Sequence, residues 1–291
     1  MKYETYAEYD PRATSQARPA FLSVWSGLGT YQDDLVLVGG LVPLFICKHP
    51  TAANALPRPA TLDVDLGVAL GTSAGQYGTL STDLRGQGFR PSAEHLGRFE
   101  KLVKGFPVYI DFLVEVGDTP KGTRMVDDVV ANVMPGVVRA LTTARTMKIE
   151  GIDLLGAHQS VVARVCEVGP FLVFKLRAFL HRQQAKDVFD LLYTLRHYDG
   201  GTAAALGAFA AEARSSNPAM PDARRALEEL FDDESAPGPI KAGNFVFGAE
   251  SPRDSADSRT LRLQVRQDMV SAAQALLRAL SDQSARGTGG P

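Results

Sequence analysis

Ala20, Phe21, Val24, Trp25 and Leu28 recur at helical spacing, which predicts an amphipathic helix within residues 15 to 31. Asp34-Leu-Val-Leu-Val38 reads as a short buried strand that stops at Gly39-Gly40, and Leu41 to Lys48 reads as the start of a helix. After a loop with Pro50, Pro57 and Pro59, Thr61-Leu-Asp-Val-Asp-Leu66 alternates with period two, the mark of a half-buried strand. Residues 71 to 101 are Gly-rich and polar and read as loop plus helix. Phe106 to Val116 is the next strand, with Tyr109, Asp111 and Leu113 on one face and Val108, Ile110 and Phe112 on the other. Further strands are expected at Thr146 to Ile149 and Ser160 to Val165. Pro170 then opens a helical stretch to Tyr198, proline being favoured in a first turn.

Beyond Gly200 the pattern is helical, at Ala203 to Ala213, Asp222 to Phe231 and Leu261 to Leu280, with a Pro/Gly/Ser-rich insert at 235 to 258. This order predicts an α/β domain with a mixed sheet over residues 1–168, a helical domain over 169–282, and a disordered tail over 283–291.

Composition narrows the class. The 291 residues are 45% hydrophobic and 22% charged, as in a globular protein. A formal charge of −2 gives no global attraction to nucleic acid, although a local basic patch remains open. Cys47 and Cys166 fit no Cys-x-x-Cys pattern and read as reduced, buried residues. The apolar run Leu35 to Cys47 is broken by Gly39, Gly40 and Pro43, so no membrane span is expected. The polar N-terminus does not resemble a signal peptide, so the cytoplasm is the expected compartment.

The chemistry concentrates in one order of motifs. Asp63 and Asp65, two apart on a strand, leave the same face, where paired carboxylates repel unless a cation lies between them. Oxygen ligands of this kind suit Mg²⁺, or Mn²⁺, shared with substrate phosphates. Asp111 could reach the same cluster from a neighbouring strand and complete a two-metal site for attack on an α-phosphate. Gly39 and Gly40 lack Cβ atoms and would let a triphosphate approach the backbone, with the helix starting at Leu41 offering free N–H groups. Each part alone has a blander reading: a solvated strand face, a turn, an edge charge. The order in which they occur is more specific than any one of them.

Val36-Leu-Val-Gly-Gly-Leu41, Arg58-Pro-Ala-Thr-Leu-Asp-Val-Asp-Leu66 and Val108-Tyr-Ile-Asp-Phe112 resemble the DNA polymerase β nucleotidyltransferase superfamily. Lys175-Leu-Arg-Ala178, Arg182 and Lys186-Asp-Val-Phe-Asp-Leu-Leu192 resemble its AbiEii-type toxin branch, from type IV toxin–antitoxin and abortive-infection systems. The resemblance spans residues 30 to 196. It implies a nucleotidyltransferase fold, metal ligation by Asp63, Asp65 and Asp111, phosphate contacts from Lys175, and a further acidic group at Asp190. Arg182, Lys186 and Asp187 would surround these. Two departures stand out: the loop 48 to 60 lengthens the gap from Gly40 to Asp63, and Arg58 is displaced by one residue.

As one continuous helix, at about 100° per residue, Arg182 and Lys186 point with Lys175, Asp190 lies about 60° away and Asp187 about 120° away. Gln183-Gln184 interrupts the apolar stripe, however. A break near Ala185 would make Asp187 an N-cap with Asp190 as its partner, and would leave Lys175 and Arg182 as surface cations.

The five histidines show no metal-ligand spacing. Tyr109 reads as a core aromatic that could instead stack on a base. Arg224, Arg225, Arg262 and Arg266 read as a solvated helix face or an RNA-facing surface. The expected activity is transfer of a nucleoside monophosphate from an NTP to an RNA hydroxyl, such as a tRNA 3′ end, in a cleft completed by the helical domain. Asp65 or Asp190 would act as base, and a cognate antitoxin would restrain the enzyme. The alternatives are a protein or small-molecule acceptor, or a non-catalytic nucleotide-binding or interaction protein of the same fold.

Overall fold

The computed structural model describes residues 4–9, 11–28, 31, 33–49, 64–69, 80–103, 105–117, 121–126 and 128–287. The chain forms two compact units, a sheet unit (Asp10–Phe45 and Thr61–Glu167) and a helical unit (Met1–Tyr9, Ile46–Ala60 and Val168–Pro291). The class is mixed α/β.

In the sheet unit the strands are β1 (Val36–Val38), β2 (Val64–Ala69), β3 (Arg90–Pro91), β4 (Arg98–Val103), β5 (Phe106–Val114), β6 (Thr123–Val126), β7 (Val129–Val133), β8 (Arg145–Ile152) and β9 (His158–Val165). They join in the order β3-β4-β5-β2-β1-β9-β8, with β7 pairing β5 and β6. The sheet is mixed: β1 runs antiparallel to β2 and parallel to β9, and β2 runs parallel to β5. The helices here are α1 (Pro11–Ser15), α2 (Ala17–Gly27), α3 (Pro43–Ile46), α4 (Leu80–Gly86) and α5 (Val137–Thr142).

The α2 stripe buries Ala20, Phe21, Val24 and Trp25 against β8 and β9, where the Trp25 indole N–H donates to the Val162 carbonyl at 3.0 Å. On β5, Val108, Ile110, Phe112 and Val114 are buried while Tyr109, Asp111 and Leu113 are half-buried, as alternation requires.

Several expectations needed correction. The helix expected over Leu41 to Lys48 is the single turn α3, because Leu41 and Val42 form a turn ahead of Pro43. The stretch 71 to 101 carries two strands, β3 and β4, that polarity concealed; residues 71–79 lie outside those described. Strands β6 and β7 were not anticipated either.

The helical unit contains α6 (Val168–Arg182), α7 (Ala185–His197), α8 (Thr202–Arg214), α9 (Met220–Leu230), α10 (Pro237–Phe247) and α11 (Ala256–Gly287). Helix α6 packs on α7, α8 and α9, and α10 packs on α7 and α11. Buried Phe171, Phe179, Phe189, Phe209, Phe231 and Phe245 supply the bulk of its core. Close crossing of α6 and α8 needs Gly169, where a Cβ would lie 2.7 Å from the Ala208 carbonyl oxygen. The Pro/Gly-rich insert at 235 to 258 contains a helix after all. Pro237 starts α10 without needing an N–H partner, and Gly238 avoids the Phe231 ring, which a Cβ would meet at 2.3 Å. Helix α11 continues to Gly287, into the segment expected to be a disordered tail.

The stretch from Pro170 to Tyr198 is two helices. Gln183 adopts φ +47° and Gln184 is extended, so α6 ends and α7 restarts at Ala185. Left-handed backbone at a residue with a Cβ is strained by about 1–2 kcal/mol, which packing of the two helices must offset.

Candidate functional site

The sheet unit brings part of the expected metal site together through register. Val38 at the end of β1 pairs with Gly67 on β2, so the chain leaves the sheet at Gly39-Gly40 level with Leu66 and Asp65. Gly39 has φ +86°, a left-handed conformation that glycine adopts without strain. On the other side of β2, Asp65 pairs with Tyr109 and Gly67 with Asp111. The glycine turn thus lies beside Asp65, and Asp111 follows two residues further along the neighbouring strand, level with Gly67 and Val38. Asp63 and Arg58 lie outside the described residues, as does the side chain of Asp65. The following α3 has only four residues, so it offers little of the expected helix dipole.

The carboxylate of Asp111 is held by a partner the sequence reading missed. Arg98 on β4 faces it directly across the strand pair and donates to both oxygens, at 2.8 and 2.6 Å. The guanidinium also lies 4.8 Å from the centre of the Tyr109 ring, so Tyr109 is a platform for Arg98 and not a core aromatic. A signal for Arg98 does exist. Lys104-Gly105 separates two strand-like runs, and a hairpin there pairs residue numbers symmetrically, Val103 with Phe106 and therefore Arg98 with Asp111. Gly105, at φ +85°, supplies the left-handed turn residue.

In type, carboxylates at Asp65 and Asp111 suit a hard divalent cation. Among the described residues, no group of three His, Cys, Asp or Glu side chains comes together to hold one. Arg98 would have to release Asp111 before that carboxylate could take a metal.

The helical unit assembles the second half of the expected site. After the break at Gln183-Gln184, α7 packs on α6 and brings both of its aspartates to Lys175. The Lys175 Nζ donates to Asp190 Oδ2 at 2.6 Å and to Asp187 Oδ1 at 3.2 Å. Arg182 grips Asp187 with two hydrogen bonds of 2.6 and 2.7 Å, and Lys186 donates to the same Asp190 oxygen at 2.7 Å. Lys175, Lys186, Asp187 and Asp190 are all buried. Two expectations change here. Lys175 is a buried cation rather than a surface one. Asp187, at the third helical position after the Gln184 N-cap, sits at the centre of the cluster rather than to one side.

Burial pulls on both lysines, with different results. For Lys175 it acts downward, but the carboxylates of Asp190 and Asp187 outweigh it and hold the ammonium above its ordinary pKa. For Lys186 burial prevails over Asp190, aided by repulsion from Lys175, and the pKa falls. Lys175, Arg182 and Lys186 thus share the carboxylates of Asp187 and Asp190, with the two lysines buried and Arg182 partly exposed. Asp190 Oδ1 is buried and finds no hydrogen-bond partner among the described residues.

No family model matches this chain, and no curated protein sequence is similar to it. No described helix is long and apolar enough to cross a membrane.

Arg262 and Arg266, expected on a solvated face, are instead largely enclosed and paired with Asp254 and Glu250. Arg224 and Arg225 do remain exposed.

Proposed function

We propose that this protein is a metal-dependent nucleotidyltransferase of the polymerase β type. The observation that supports the reading is the register of β1, β2 and β5, in which the Gly39-Gly40 turn lies beside Asp65 and Asp111 is two residues further along the adjoining strand. Asp63, Asp65 and Asp111 would hold Mg²⁺ or Mn²⁺, which when bound supplies polarisation of the α-phosphate. The open backbone at Gly39 and Gly40 admits the triphosphate. In the helical unit, Lys175, Arg182 and Lys186 are the cations of a kind that contacts phosphate oxygens, with Asp187 and Asp190 holding them in place. Asp65 or Asp190 accepts the proton of the attacking hydroxyl. Arg98 neutralises Asp111 in the resting protein and exchanges when the site is loaded.

The resemblance to AbiEii-type toxins points to an RNA acceptor such as a tRNA 3′ end, growth arrest as the outcome, and a cognate antitoxin. A second reading is favoured by the ion pairs themselves. Arg98 with Asp111, and Lys175 with Asp187 and Asp190, are complete enough to be structural clamps, as in a protein that binds nucleotide without catalysis.

Incubation with each labelled NTP and total RNA distinguishes the two. The first reading expects label on RNA and release of pyrophosphate, both lost in Asp63→Ala and Asp65→Ala. Full incorporation and full toxicity in those variants would end it, and nucleotide binding without any label transfer would establish the second.

A further inference from the structure

A cavity of about 540 Å³ opens between the first three turns of α11 and the preceding loop, residues 248–255. Its lining carries three arginines and two carboxylates, Arg259, Arg262, Arg266, Glu250 and Asp254, beside apolar Pro252 and Leu263. Arg262 is only 2% exposed, yet it is charged. It donates to Asp254 Oδ2 at 2.6 Å and to the Phe247 carbonyl at 3.3 Å. Arg266 pairs with Glu250 at 2.7 Å. The Nε donors of Arg262 and Arg266 are both buried and have no hydrogen-bond partner among the described residues. Arg259 donates its Nε and one terminal nitrogen to the Asp254 carbonyl, at 3.1 and 2.9 Å, and shares the Asp254 carboxylate electrostatically with Arg262.

Such an arrangement is costly unless something offsets it. A buried donor without a partner destabilises by roughly 1–3 kcal/mol, more when the group is charged. Gly243 on α10 helps to build it, since a Cβ there would lie 3.0 Å from Arg262 Cγ and 3.3 Å from Arg266 Cγ. The two stems therefore rest on α10 and hold their guanidiniums in place before any ligand arrives. Planar guanidinium forks match phosphate oxygens, and Leu263, 47% exposed, offers an apolar wall. The volume is that of a small-molecule site.

We propose that this cavity binds a small phosphorylated ligand, with its phosphoryl group on Arg259 and Arg266 and its organic part against Leu263 and Pro252. None of these residues belongs to the proposed nucleotidyl-transfer site, so the two proposals stand or fall separately.

The test is calorimetry on the full chain with inorganic phosphate, ribose 5-phosphate and an oligouridylate as separate probes. Wild type is expected to bind ribose 5-phosphate saturably at one site and more tightly than inorganic phosphate. Arg259→Ala is expected to weaken binding about tenfold or more, a loss of about 1.4 kcal/mol. Arg259→Lys retains the charge without the fork and should lie between the two. Arg224→Ala, an exposed arginine outside the cavity, should bind as wild type does. Absence of saturation up to about 10 mM in wild type overturns the proposal, because affinity that weak contributes little over bulk solution. Affinity unchanged in Arg259→Ala overturns it too, as does Arg259-dependent binding of the oligouridylate alone.

Discussion

Asp153 shows how one side chain organises a turn. Buried where β8 gives way to β9, it accepts N–H bonds from Leu155 and Ala157 at 2.8 and 2.9 Å and an amide bond from Gln159 at 2.9 Å. Burial alone would raise its pKa, but these donors outweigh it and hold the carboxyl below its ordinary 3.8. A folded-state pKa below the unfolded one means a contribution that is complete above the ordinary value and is lost as pH falls through the lowered one. Asp153→Asn should therefore destabilise the protein at neutral pH, and the gap from wild type should close as pH falls below the ordinary 3.8 and through the lowered pKa, read by urea unfolding across pH. An unchanging gap would mean that the charge contributes nothing. Gly156, at φ +91° in the same turn, could be read from the sequence as a turn residue. The role of Asp153 could not, since it depends on three donors converging within a few residues.

Between elements, the break separating α6 from α7 decides the chemistry. The two helices and the interruption at Gln183-Gln184 were legible, and so was the identity of every charged residue in the cluster. What was not legible was that the break would turn Asp187 inward. Helical phase locates residues only along one axis, and the break at Gln183-Gln184 ends that axis. The charge count predicts an ordering of mutational effects. Asp190→Asn leaves Lys175 and Lys186 buried with one carboxylate between three cations, and should cost about 3–5 kcal/mol. Lys175→Met leaves each aspartate one cation, Arg182 on Asp187 and Lys186 on Asp190, and should cost less than half as much. Urea denaturation of the two variants checks the order, and equal losses would contradict the shared-charge account. Strand β4 is the opposite case. Its polar alternation hid it, yet hairpin arithmetic from Gly105 places Arg98 on Asp111 without any knowledge of the rest of the sheet.

For the whole molecule, a ligand that binds only the folded chain raises its stability by mass action. NTP with Mg²⁺ at about one hundred times its dissociation constant should add about 2.7 kcal/mol of stability. Scanning calorimetry should show that gain as a rise in Tm for wild type, and no rise for Asp65→Asn. A rise of equal size in the variant would remove Asp65 from the site.

The sequence by itself determined the alternation of β5, the helical stripe of α2, and the residue types a phosphate chemistry would need. These follow from local periodicity and side-chain chemistry, which need no knowledge of distant contacts. Only the tertiary structure decided that Asp111 is held by Arg98, that Lys175 is buried between Asp187 and Asp190, and that Arg262 lies enclosed rather than on a solvated face. Burial and ion pairing depend on which elements meet, and that is a property of packing rather than of spacing along the chain.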